Sequence, residues 1–144
     1  MSQTTALQLL VDPAALRAGK LHCWYADHCE VNDLPAGHRF PMQKYRLTRE
    51  LLQQEAQTAA LAAFHPSPAA SLQDIQRVHN QQYVEQFVNG TIDKPGMRAI
   101  GFPWSKAIVA RNLASVGGTL AATQALLHSP AFRMTAHISG VIIR

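Results

Sequence analysis

The sequence predicts a mostly helical α/β chain whose sheet is incomplete. Three observations carry that reading. Leu21-His22-Cys23-Trp24-Tyr25 mixes β-favouring aromatics with apolar neighbours and reads as a strand. Three longer stretches carry apolar residues at helical spacing. The only other strand-like stretch is Ile138–Ile143, near the end. An α/β domain needs several parallel strands, joined by crossover helices, before both sheet faces are buried. With one clear strand and one short one, the helices are left with apolar faces to cover, by packing on one another or by association.

At 144 residues the chain suffices for one modest domain, and 47% hydrophobic against 15% charged residues is a globular composition. Thirteen Lys and Arg against nine Asp and Glu give a formal charge of +4 and a pI near 9.4. The excess is scattered. Arg39, Lys44, Arg46 and Arg49 form the only local basic cluster, which is a poor nucleic-acid signal and fits a solvated or pocket-lining role better. No apolar run has the length of a bilayer span, and the first twenty residues lack a basic region ahead of their apolar patch. A cytoplasmic protein is therefore expected, with Cys23 and Cys29 as reduced thiols.

In chain order, Met1–Lys20 holds the apolar run Leu7–Val11 and an Asp12-Pro13 start signal, which reads as a short N-terminal helix. Ala26 to Phe40 has no period and is rich in turn residues, Asn32-Asp33-Leu34-Pro35-Ala36-Gly37 among them. A loop that long inside a compact domain is usually functional or mobile, with a plain surface excursion as the rival reading. Pro41 suits a helix start, and Met42, Tyr45, Leu52, Ala56 and Ala59 then form one apolar face of a helix from Met42 to about Ala60. Arg46, one turn in, either snorkels to water or is held inward for a purpose. Phe64-His65-Pro66-Ser67-Pro68 reads as a break.

Ser71-Leu72-Gln73-Asp74 opens a second helix as a capping-box variant, followed by Ile75, His79, Tyr83 and Phe87 at intervals of four and a stop at Asn89-Gly90. His79 on that stripe reads as a hydrogen-bonded core histidine before it reads as a ligand. Thr91 to Pro103 reads as loop. From Trp104, the residues Val109, Leu113, Val116, Leu120 and Leu127 mark the longest helix, which Ser129-Pro130 ends. Gly117-Gly118 inside it should cost about 1 kcal/mol each relative to alanine, so a close approach by another backbone is expected there. A phosphate-binding loop is disfavoured, since no Lys-Ser/Thr follows the glycines. Cys23, His28, Cys29 and His38 match no common zinc spacing.

Three blocks together carry a resemblance. Gly37-His38-Arg39-Phe40-Pro41-Met42-Gln43-Lys44-Tyr45-Arg46 follows the strand and loop; Val78-His79-Asn80-Gln81-Gln82-Tyr83-Val84 comes next; Ile100-Gly101-Phe102-Pro103-Trp104 then leads to Gly117-Gly118-Thr119 and Ala121-Ala122. In this order, covering Leu21 to Leu127, they resemble the histone deacetylase family, the zinc-dependent arginase/deacetylase fold, in its bacterial and class IV-like members. The resemblance implies a parallel sheet flanked by helices. It divides the chain into an N-terminal extension (1–20), the N-terminal part of a deacetylase-like domain (21–127) and an unrelated or divergent tail (128–144), as a shifted reading frame would produce.

It also implies zinc-dependent hydrolysis of acetylated lysine or an acetylated small amine in the full-length family. There, zinc held by Asp, His and Asp activates water, paired histidines handle protons and a tyrosine steadies the oxyanion. This chain has single histidines at 128 and 137 and no Asp or Glu after Asp93, so no catalytic or metal residue, and no bound zinc, is expected in it. By resemblance Arg46 lines the cavity that receives departing acetate, a task suited to a guanidinium fork, while His38, Arg39, Pro41 and Met42 border the substrate tunnel. Gly101 and Phe102 stand where some members carry a substrate-clamping aspartate. Two other readings compete: a helical protein-interaction module that self-associates through uncovered helix faces, and a basic nucleic-acid-binding domain built on Arg39 to Arg49.

Overall fold

The computed structural model describes residues 19–32, 34–128 and 134–139. The expected N-terminal helix and the Ser129-Pro130 stop lie outside the described residues. Strand β1, Leu21–Tyr25, forms where the aromatic-rich run predicts it. It is the middle strand of a parallel sheet, between β2 (Ala62–Pro66) and β3 (Thr135–Ile138), with Trp24 opposite both His65 and His137.

Strand β2 occupies the stretch expected to be a break. Pro66 takes the last position of the strand, and the next residue supplies the missing donor, Ser67 N–H reaching Tyr25 O at 2.7 Å. Strand β3 meets the expected Ile138–Ile143 strand at Ile138, while residues 140–143 of that expectation lie outside the described residues, and the β3 residues are half-buried.

The first long helix is two helices. α1 (Lys44–Gln54) ends at Glu55, whose extended backbone breaks the run, and the Glu55 side chain then caps α2 (Ala56–Leu61) by accepting from the N–H groups of Gln57 and Thr58. Those bonds hold its carboxyl below the usual range, the Thr58 N–H first among them. The turn redirects the chain, so the apolar face stops at Leu52, and Ala56 and Ala59 are exposed.

The helix expected from Ser71 to Asn89 is likewise broken, into α3 (Leu72–Gln76) and α4 (Gln81–Asn89). Ser71 caps α3 as expected, its hydroxyl 3.1 Å from Asp74 N. Asn80 opens a new helix by accepting from Gln82 and Tyr83 N–H, which places Val78 to Asn80 in the joint. Gly90 terminates α4 in the left-handed region, at φ 72°. The loop expected at 91–103 contains a helix, α5 (Lys94–Ile100), started by the Asp93 side chain on Gly96 N and by Pro95 in the first turn.

α6 (Lys106–His128) is the longest helix, and its buried face is wider than the large-residue stripe, taking in a row of small residues. Of the expected stripe, Val109 is buried, Leu113, Val116 and Leu120 are half-buried and only Leu127, 71% exposed, faces outward, while Ile108, Arg111, Ala114, Ser115, Gly117, Gly118, Ala121, Ala122 and Ala125 are buried as well. Small side chains win because the sheet comes close. Trp24, fully buried, rests on Ala121, Ala122 and Ala125. A Cβ on Gly117 would collide with Pro68 O and lie 2.7 Å from Ala70 N, and Ala70 N–H reaches Leu113 O at 2.9 Å. Gly117 thus admits the backbone of the loop after β2, as its cost in a helix implies, whereas Gly118 makes room for the side chains of Ser67 and His137. On the other face of β1, Tyr25 lies under Arg49 of α1, with the guanidinium 4.7 Å from the ring centre.

Candidate functional site

The loop between β1 and α1 folds back onto α6. Val31, Met42 and Ile108 form a buried cluster, with Leu34, Phe40, Tyr45, Phe87 and Phe102 packed around it. Beside this cluster lies a cavity of about 120 Å³. Its wall draws on all three blocks of the sequence resemblance: Phe40 and Met42 from the first, His79, Tyr83 and Val84 from the second, Ile100 and Phe102 from the third. α6 closes it with Ile108, Arg111 and Ser115. Ligands in parallel α/β sheets gather beyond the carboxyl ends of the strands. Ser139, immediately after β3, contacts this α6 wall at that end.

Arg111 is the polar centre of the wall. It is 5% exposed, its Nη1 donates to Ser115 Oγ at 3.0 Å and to Ser139 Oγ at 3.3 Å, and its guanidinium stacks 4.6 Å from the Tyr45 ring centre. Burial pulls its pKa below the ordinary arginine value, partly offset by Tyr45, Asp27, Cys29 and Glu30. Sequence reasoning passed over it. The signal was an arginine at helical spacing from Ile108, Ser115 and Gly118, inside the stripe that the small residues mark.

Two other arginines hold the loop. Arg49 takes Asp27, whose side chain is 3% exposed, with Nη2 2.8 Å from Oδ2. Arg46 Nε lies 3.0 Å from Glu30 Oε2, and its Nη1 lies 3.4 Å from Glu50. Both pKa values are raised, first by the hydrogen bond to Asp27 and to Glu30 respectively. Arg46, 37% exposed, is not among the residues that line the cavity. Of the other expected positions, Met42 is buried and lines it, while Arg39 and Pro41 are exposed. His38 accepts from Phe40 N–H through Nδ1 at 3.2 Å and donates through Nε2 to Gly101 O at 3.3 Å, and its ring stacks on Phe102. The first loop and the Gly101-Phe102 turn are thereby tied together.

Among the described residues no three His, Cys, Asp or Glu side chains lie close enough to share a cation. The described residues alone therefore do not supply the ligand set that the zinc of the resembled family takes. Burial raises both thiol pKa values, against a lowering by Arg111 at Cys29. No helix among the described residues is long and apolar enough to cross a membrane.

No protein-family model matches the chain. Over 100 residues, 67% of its length, it is 36% identical to an uncharacterized protein of the cyanobacterium Picosynechococcus sp.. The chain spans about a third of that relative, 32% of its length.

Proposed function

We propose that this chain is the N-terminal part of a zinc-dependent amidohydrolase of the histone deacetylase kind, acting in its full-length form on acetylated lysine or an acetylated small amine. The observation that carries the reading is the convergence of three sequence blocks, far apart in the chain, on one cavity beside the carboxyl end of a parallel sheet. A loop from Ala26 to Pro41 that packs on α6 and touches the Gly101-Phe102 turn is the arrangement expected of a tunnel rim. Metal and proton-transfer groups would come from sequence outside this chain, so the 144-residue chain by itself is expected to release no acetate. The test is a chimera in which residues 21–127 replace the matched hundred residues of the Picosynechococcus protein. Zinc-dependent release of acetate from an acetyl-lysine peptide is expected. A folded chimera that is inert on acetylated peptides and polyamines, while the parent relative turns them over, would sink the reading.

A second reading, a helical interaction module, draws on Leu47, Leu51 and Leu61, which are 53%, 68% and 69% exposed. It requires a defined oligomer in sedimentation that Leu47→Ser with Leu51→Ser dissociates; a monodisperse wild-type monomer removes it.

A further inference from the structure

Strand β3 is tied to α6 by a seam of side-chain hydrogen bonds. α6 runs antiparallel to the strand, so Ser115, Thr119 and Ala122, on successive turns, meet Ser139, His137 and Thr135, which alternate along the strand and share one face. Ser115 Oγ lies 2.6 Å from Ser139 Oγ, Thr119 Oγ1 lies 3.0 Å from His137 Nδ1, and Thr135 Oγ1 donates to Ala122 O at 3.0 Å. His137 is the middle link. Its other nitrogen, Nε2, reaches Ser67 Oγ in the loop after β2 at 3.1 Å.

The neighbours fix the direction of these bonds. Thr119 Oγ1 donates to Ser115 O at 3.3 Å, so it accepts from His137 Nδ1–H, and Nε2 accepts from the Ser67 hydroxyl. This relay has the order of a nucleophile, a base and an orienting group, yet it is sealed. Ser67 is 3% exposed, and a Cβ on Gly118 would collide with both Ser67 Oγ and His137 Nε2, so α6 leaves no room for a substrate. What the relay meets is a proton. Once Nε2 is protonated, Ser67 must turn its own hydroxyl proton away, into a buried space where it has no other partner among the described residues. Arg111 of α6 repels the imidazolium. On the sheet, His65 stands in the same cross-strand row beyond Trp24 and is bonded to His22 at 2.7 Å; from α1, Arg46 and Arg49 are taken by Glu30 and Asp27. Among the described residues no carboxylate pairs with His137.

We propose that His137 is an acid-operated latch: one proton taken from water at Nε2 releases β3 from α6 and from β1, while β1, β2 and the helices stay folded. β3 is the element that can leave. It has four half-buried residues, pairs among the described residues on one side only, and leaves β1 still paired with β2. Its departure gives the imidazolium to water and uncovers the edge of β1 from His22 to Tyr25. The folded ring has its pKa pushed down to about 4 from 6.5, by burial first and then by Arg111. Released β3 therefore binds more protons between those values, and release gains as pH falls through that window. The inference stands apart from the amidohydrolase reading, because it needs neither ligand nor turnover.

The test is hydrogen exchange on the purified chain, read amide by amide in NMR spectra and expressed as protection against the unstructured rate at each pH. Between about pH 7 and about pH 4.5, protection of the amides joining β3 to β1 should fall at least about tenfold, while those joining β1 to β2 and those of α6 change by less than about threefold. The ring nitrogens of His137 should show the Nδ1–H tautomer at neutral pH, and the ring should titrate with the same midpoint as β3 opens. His137→Gln, which keeps a donor and an acceptor and does not titrate, should hold β3 protection constant across the range. Equal loss of protection in β2 and β3 would overturn the proposal, because acid would then be unfolding the whole chain or acting through His22 and His65. So would an Nε2–H tautomer at neutral pH, or acid opening of β3 that persists in folded His137→Gln. The tautomer and the two midpoints are read on the unaltered chain, so they decide the matter even if the variant does not fold.

Discussion

Arg49 grips both carboxylate oxygens of Asp27, with Nε at 3.1 and 3.0 Å and Nη2 at 2.8 Å. The pair ties α1 to the first turn of the loop after β1. Its guanidinium also covers Tyr25. Truncating one partner strands the other. Arg49→Met leaves a buried carboxylate without a counter-charge and should cost about 3 kcal/mol in urea unfolding. Adding Asp27→Asn to that variant should recover part of the loss, and a double mutant whose loss equals the sum of the two single losses would show that the pair is uncoupled.

Gly117 gives a sharper expectation. A methyl group there meets Pro68 O and Ala70 N, which are backbone atoms with little room to retreat. At Gly118 it meets the side chains of Ser67 and His137, which can rotate away at the cost of their mutual bond. Gly117→Ala should therefore destabilise by about 2 kcal/mol, despite alanine's better helix propensity, and Gly118→Ala by less. The reverse order in denaturant midpoints would contradict the packing described.

His137 predicts a pH dependence. Its Nε2 lies 3.1 Å from Ser67 Oγ and its Nδ1 3.0 Å from Thr119 Oγ1, and burial, with a smaller contribution from Arg111, pushes its pKa down to about 4 from 6.5. Between those values the unfolded chain binds more protons than the folded one. Stability contributed by neutral His137 is thus complete above about pH 6.5 and is lost as pH falls toward 4, on the order of 2 kcal/mol after solvent screening. His137→Gln should flatten the stability profile in that window. Glu55, whose pKa is depressed, contributes stability that is complete above the ordinary carboxylate value and is lost only as pH falls below it, so the two are separable.

Gly90 combines two constraints. At φ 72° it occupies the left-handed region, and an added Cβ would lie 2.6 Å from Trp104 Cε2, on an indole whose N–H donates to Phe87 O at 2.7 Å. Gly90→Ala should cost about 2 kcal/mol and shift Trp104 emission as the ring is displaced. An unchanged midpoint with unchanged emission would place the indole elsewhere.

Much of the local structure is legible in the residues themselves. β1 announces itself by its aromatics, α3 by Ser71, the end of α4 by Asn89-Gly90, and the tight contact at α6 by a glycine pair that a helix would otherwise reject. β2 was hidden because a short parallel strand has no alternation and Phe64-His65-Pro66 ends in proline. α5 was hidden by Pro95 and Gly96, although Asp93 and Pro95 together are a start signal. The breaks at Glu55 and Asn80 are capping choices, since each residue prefers to satisfy new N–H groups over continuing the old helix. The cavity is half legible. Its apolar wall coincides with the three resembling blocks, but a charged residue such as Arg111 gives no hydrophobic signal and so does not mark the inner face of α6. Next to the sheet the helix presents alanines and glycines, and the arginine lies one turn further along the same buried face.

The strand order has a kinetic side. Strand β1 pairs with residues 62–66 on one edge and with residues 135–138 on the other. During synthesis its first partner follows after a few helical turns, but the second emerges only roughly a hundred residues after β1, and until then an aromatic strand presents an open row of backbone donors and acceptors. The helix that shields Trp24 is also made late, since Ala121, Ala122 and Ala125 come just before β3. Until α6 is made, the nascent chain therefore leaves its most buried tryptophan uncovered.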